Sequence, residues 1–88
     1  MEAKFVLNSH FRILTLDKHA KKIAHLSDDA EFHYFFSYFT PKIWKNLKIP
    51  GENVVLMGKN MGIHVRRYPR KVIFSESESG YIVDVVNI

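Results

Sequence analysis

Between Lys59 and Lys71 the chain gathers Lys59, His64, Arg66, Arg67, Arg70 and Lys71 around one tyrosine, Tyr68, with no acidic residue among them. Phosphate recognition asks for guanidinium forks and ammonium charges on a rigid segment, with an aromatic plane on which an unstacked base can lie. This stretch supplies all three. The same residues would also suit a solvated edge strand whose charges deter aggregation. His64 adds a hydrogen-bond donor and, in a ribonuclease, would be a candidate general base. Upstream, Lys18, Lys21, Lys22 and His25 fall at i, i+3, i+4 and i+7, one stripe of a helix. Lys18 and Lys22 could therefore extend a polyanion surface, the alternative being an ordinary lysine-rich helix face.

Other chemistries find less support. The histidines His10, His19, His25, His33 and His64 show no metal-ligand spacing with a carboxylate. The chain has no cysteine, which excludes disulfides, thiolate metal sites and cysteine nucleophiles. Gly58-Lys59-Asn60-Met61-Gly62 lacks the spacing of a nucleotide-binding P-loop and reads as a tight loop whose backbone N–H groups could cradle a phosphate weakly. No cofactor and no metal are expected. Tyr34, Tyr38 and Trp44 stand apart from the aromatic residues expected in the core, either as stacking surfaces or, for the two tyrosines, as anchors for a protein partner.

The charge distribution sharpens the basic cluster. The 88 residues carry a formal charge of +4 and a sequence pI near 9.5. From position 42 to 71 Lys42, Lys45, Lys48, Lys59, Arg66, Arg67, Arg70 and Lys71 face one acid, Glu52. Beyond Val72 only the acids Glu76, Glu78 and Asp84 remain. A fold that keeps the middle of the chain on one side would carry a positive face.

These residues need elements to position them. A 47% hydrophobic share predicts one folded domain, residues 1–88, with a single core. Residues 4 to 16 read as extended, with a turn near Asn8-Ser9. Asp17 is placed to cap a short helix over 18 to 26. Asp28 with Glu31 has capping-box spacing for a second helix, on which Phe32, Phe35, Phe36 and Phe39 form one aromatic stripe up to Thr40-Pro41. A short helical continuation over Lys42 to Leu47 would turn Ile43, Trp44 and Leu47 inward. After the Pro50-Gly51 turn, strands are predicted over Val54 to Met57, from Gly62 until Pro69 breaks it, over Lys71 to Ser75, and over Tyr81 to Val86. Glu76 to Gly80 is the hairpin loop joining the last two. The predicted class is α+β, a small antiparallel sheet packed against two short helices. The N-terminus reaches polar Asn8, Ser9 and His10 after Phe5, Val6 and Leu7, so neither a signal peptide nor a membrane span is expected, and the expected address is cytoplasmic.

The segments Leu56-Met57-Gly58, Gly62, Val65-Arg66-Arg67, Lys71-Val72-Ile73-Phe74 and Tyr81-Ile82-Val83-Asp84-Val85-Val86 resemble the C-terminal half of RelE/ParE-type toxins. In that family a glycine-bearing loop leads into arginine-bearing strands and a β-hairpin, after one strand and a helical hairpin. The resemblance implies a basic face that meets RNA in a ribosome. It departs from the family after the last strand, where a catalytic tail would follow and this chain has Asn87-Ile88. The short, lysine- and aromatic-rich chain also resembles small phage-encoded accessory proteins, some of which bind RNA or inhibit toxin–antitoxin defences. The leading expectation is a non-catalytic RNA-binding protein, as a phage-type regulator or inhibitor of a toxin–antitoxin system. Lys59, Arg66, Arg67, Arg70 and Lys71 would contact phosphates while Tyr68 stacks. The alternatives are an mRNA interferase of RelE type and a protein-interaction module that engages a toxin or nuclease through Tyr34, Tyr38 and an edge strand from Tyr81 to Val86.

Overall fold

Alternating apolar residues at both ends of the chain set the frame. In the computed structural model, residues 3–24, 33–61 and 64–86 are described, with backbone alone for 23–24, 58–61 and 64–67. Strand β1 (Ala3–Asn8) buries Ala3, Phe5 and Leu7 on one face and turns back into β2 (Ile13–Leu16). The turn falls at Asn8, as the sequence predicts, because the Asn8 side-chain oxygen accepts from the backbone N–H groups of His10 (2.8 Å) and Arg12 (3.0 Å). Helix α1 (Lys18–Ala24) follows and packs on β1, with Ala20 fully buried.

Asp17 caps α1 and ties it to the sheet. One carboxylate oxygen accepts from Ala20 N at 2.7 Å, and the other accepts from Lys4 N at 3.2 Å. Asp17→Ala is expected to lower stability by about 1–2 kcal/mol, while Asp17→Asn, which can cap equally well, should retain most of it. Thermal melts of the two variants check this.

The rest of the chain is mostly β, and the expectation of an α+β fold with two helices is corrected. Strands β3 (Phe39–Pro41), β4 (Gly51–Met61), β5 (His64–Ser77) and β6 (Gly80–Val86) join β1 and β2 in one curled antiparallel sheet of order β2-β1-β6-β5-β4-β3. The start of the expected second helix, 28–32, lies outside the described residues. Its remainder is a single 3-10 turn over Phe35–Ser37 followed by β3. Sheet hydrogen bonds outcompete the helix there. Ile13 N donates to His33 O (2.7 Å), Phe35 N donates to Phe11 O (2.8 Å), and Phe39 to Pro41 pair with Met57 to Val55. Aromatic residues lose rotamer freedom in a helix and pack well on a pleated surface, so the segment gains by this exchange.

The stretch 33–41 therefore runs from one edge of the sheet to the other, bridging to the chain just before β2 and then pairing with β4. It closes the curl over Phe35 and Phe39, whose rings meet Phe5 at 5.3 and 5.5 Å and each other at 4.8 Å. Phe5, Leu7, Ile13, Val55, Met57, Val72, Phe74, Val83 and Val85 complete the core.

Four further expectations change. The short helix over 42–47 is a 3-10 turn, Trp44–Asn46, and only Leu47 packs on the core. Ile43 is 47% exposed and Trp44 58%. Gly58-Lys59-Asn60 continues β4 instead of forming a tight loop, and Pro69 does not break β5. β6 pairs with β5 only from Lys71 onward, so among the described residues Pro69 has no strand beside it on one side of β5, where a missing N–H is tolerated. The last hairpin is tighter than predicted, with Glu78 and Ser79 alone outside the strands.

Candidate nucleic-acid interface

The two longest strands outrun the sheet that holds them. β4 pairs with β5 from Gly51↔Phe74 through Met61↔His64, whereas β3 covers β4 only at 55–57 and β6 covers β5 only at 71–77. Positions 58–61 and 64–67 thus form a two-stranded ribbon that no other strand among the described residues flanks, reaching roughly 14 Å beyond the sheet. Lys59 pairs with Arg66, Arg67 with Gly58, and His64 with Met61. Four of the predicted site residues therefore stand together on one projecting element.

Strand alternation divides them. Positions 59, 64 and 66 continue the face of Met57, Tyr68 and Arg70, and position 67 continues that of Pro69 and Lys71. The basic cluster is a ribbon charged on both faces, where the sequence suggests one positive face.

At the root of the ribbon the side chains are fixed. Arg70 lies over the Tyr68 ring, its guanidinium carbon 5.1 Å from the centroid, and its Nε is buried without a hydrogen-bond partner. Stacking, not an ion pair, orients this guanidinium. Tyr68 is half-buried and its hydroxyl lies 3.5 Å from Met57 Sδ, so the ring packs against the rim of the core. Lys71 Nζ sits 3.0 Å from Glu52 Oε1. Both groups are well exposed, so the pair contributes at most about 1 kcal/mol, but it offsets part of the charge Lys71 would offer a phosphate.

Lys18 and Lys22 are exposed on α1, which lies against β1. β6 intervenes between β1 and β5 in the sheet, so these two lysines belong to a different part of the structure from the ribbon. His25, the last member of their stripe, lies outside the described residues. The strand Tyr81 to Val86, expected as an apolar edge for a protein partner, is interior, between β1 and β5. Tyr34 is 49% exposed with the Arg12 guanidinium 5.2 Å from its ring centre, and Tyr38 bonds His33 Nδ1 through its hydroxyl at 2.5 Å.

Sequence reasoning missed Asn53, a buried amide among apolar neighbours. Its oxygen accepts from Lys48 N and its nitrogen donates to Lys48 O, both at 2.7 Å, fixing the turn that leads into β4. Its one signal is an asparagine close to Pro50-Gly51. Among the described residues no three His, Asp or Glu converge as a metal site, and no helix is long and apolar enough to cross a membrane. No protein-family model matches the chain, nor does any curated protein or solved structure compared with it.

Proposed function

We propose that this protein is a cytoplasmic RNA-binding module that grips the phosphate backbone with the β4–β5 ribbon and does not cut it. The observation that carries this reading is the mismatch in pairing, which leaves 58–61 and 64–67 as a free ribbon bearing Lys59, His64, Arg66 and Arg67. A projecting ribbon charged on both faces can be wrapped by a flexible single strand, and the Tyr68–Arg70 pair at its root supplies a π surface beside a guanidinium. Sequence preference should be slight, since phosphate contacts position a strand without reading its bases. A regulator that restrains a toxin–antitoxin system by occupying RNA is the biological setting this reading suits.

Gel shifts with single-stranded RNA test it. With three or four phosphates neutralised, affinity should fall roughly twenty- to fiftyfold between about 50 and 200 mM salt. Arg66→Ala combined with Arg67→Ala should weaken binding and flatten the salt slope by about 1. Equal affinity for the wild type and the double variant refutes the ribbon as the binding element. Incubation with RNA, with and without ribosomes, should leave the RNA intact, and cleavage in either would replace this reading with an enzymatic one.

A further inference from the structure

The alternation that buries one face of the sheet turns the other outward. Ala20 of α1 and the rings of Phe35 and Phe39 belong to the core on the inner face, and among the described residues no helix lies on the outer one. The β1–β6, β6–β5 and β5–β4 registers align the outer side chains in rows. One row reads Lys4, Asp84, Ile73, Glu52 across β1, β6, β5 and β4. The row on one side of it brings Ile82, and the row on the other brings Val86, Lys71 and Val54. Ile73 is 38% exposed and Val54 42%, while Ile82 and Val86 are half-buried. The crest of the curled sheet is thus an apolar strip, with Lys4 and Lys71 as its cations and Asp84 and Glu52 as its acids.

Such a face can pack on a copy of itself, because sheets stack face to face with their strands nearly aligned. In the order β2-β1-β6-β5-β4-β3 the midline falls between β6 and β5. A twofold axis along that midline, parallel to the strands, lays β6 over the β5 of a second copy and β1 over its β4. Lys4 then faces Glu52 of the second copy, and Asp84 stands diagonally from its Lys71. Ile73 meets Ile82 and Val86 of the second copy in the same diagonal way. An axis across the strands at the level of Ile73 would instead set Lys4 on Lys4, Asp84 on Asp84 and Glu52 on Glu52, and one row further it would set Lys71 on Lys71. Like charges in direct opposition are destabilising, so the charges choose the parallel axis. Among the described residues the Lys4 ammonium has no ion-pair partner within its own chain, and Glu52 can accept from it as well as from Lys71.

We infer that two copies of this chain associate through the outer faces of their sheets about this axis. The inference goes beyond the RNA reading and does not need it. The curl carries the edge strands away from a neighbour, so contact is confined to the four central strands and covers on the order of 500 Å² per copy. That lies towards the lower end of specific interfaces and implies a weak dimer. An axis parallel to the strands also keeps both β4–β5 ribbons at the same end of the dimer. A strand long enough to span them would be held twice, and the second contact would be intramolecular.

Sedimentation equilibrium of the full-length protein without RNA should show a mass that rises with concentration from one chain towards two, with a dissociation constant on the order of 100 µM. Ile73→Lys should stay at one chain over the same range. Lys4→Glu should weaken association roughly tenfold, and Lys4→Glu with Glu52→Lys should recover most of it, because the charges have then been exchanged across the axis. All three positions are exposed, and an unchanged thermal melt confirms that each variant is folded. A mass of one chain at every concentration overturns the inference and leaves the face to some other occupant. A dimer that Ile73→Lys leaves intact places the interface elsewhere and overturns it too. Association that is indifferent to Lys4→Glu overturns the parallel axis, and with it the placement of both ribbons at one end. Assemblies larger than two overturn the closed twofold. With no RNA present, none of these results bears on the ribbon reading, which the gel shifts decide separately.

Discussion

Gly80→Ala is expected to cost about 3 kcal/mol or more and to lower the melting midpoint by on the order of 15 °C. Gly80 opens β6 with φ +155°, a conformation L-residues rarely adopt, and pairs with Asn8 across the sheet. A Cβ placed there would overlap the Leu7 carbonyl oxygen and the Asn8 carbonyl carbon, and would lie 2.7 Å from Asn8 Cα. These are backbone atoms, so no rotamer change relieves the clash. Nor can β1 withdraw. Asn8 N donates to Arg12 O at 2.9 Å and the Asn8 side chain holds the turn, while Phe11, at φ 64°, is stacked on Tyr81 at 4.8 Å and 5°. The strain at Phe11, about 1–2 kcal/mol for a residue with a Cβ in the left-handed region, is offset by that stack and by contact with Phe36. Relaxing the turn to admit the extra methyl group would give up both. Since a domain of this size has roughly 5–15 kcal/mol to lose, the variant should show a clear drop in the denaturant midpoint. Ser79→Ala, one position earlier in the exposed turn, should change stability by no more than about 0.5 kcal/mol.

The parts of this fold that were legible in the sequence are those whose cause is local. Asp17 caps α1 because a carboxylate before a helical run has free N–H groups to accept from, and that needs no tertiary knowledge. The turn at Asn8 and the strands on either side of Glu78-Ser79 follow from turn chemistry and alternation in the same way. Phe35 and Phe39 show where the local rule fails. Their four-residue spacing suits a helix face, but it also suits a turn followed by a strand that sends both rings into one core, and nearly every neighbour is aromatic, so periodicity cannot separate the two. The hydrogen bonds that decide it come from Phe11, Ile13 and β4, residues far away in the chain.

The candidate site divides along the same line. Its composition was plain, because an acid-free run of lysine and arginine from 59 to 71 is visible without any fold. Its form was not. Ile63 and Val65 alternate with His64 and Arg66, but charges at adjacent positions 66 and 67 and at 70 and 71 end the alternation by which faces could be located. Gly58 and Pro69 also suggest breaks where the strands in fact continue. Only the β4–β5 register shows that Lys59 and Arg66 are paired, and that Glu52, distant in sequence, reaches Lys71. The exposure of Ile43 and Trp44 was hidden for a related reason. Ile43 and Trp44 are apolar and by type belong in the interior, yet the core is already filled by phenylalanines from 5, 35, 39 and 74, which leaves the indole outside.

Excising the ribbon should separate binding from folding. Replacing residues 58–67 by Asn-Gly joins Met57 to Tyr68, a pair already opposed in the register, through the two-residue turn that antiparallel strands favour. The flanking pairings of β3 with 55–57 and of β6 with 71–77 remain, as do Met57, Val55, Val72 and Phe74 in the core. Stability should therefore stay within about 1 kcal/mol of the parent, the shorter loop offsetting some of the lost strand pairing. Affinity for single-stranded RNA should fall by roughly a hundredfold at low salt, because Lys59, Arg66 and Arg67 leave together with His64. Residual binding should be weak and less salt-dependent. An excised protein that binds as tightly as the parent would place the RNA contact elsewhere. One that fails to fold would show that the ribbon belongs to the structural core, contrary to the pairing, in which no other strand among the described residues flanks it.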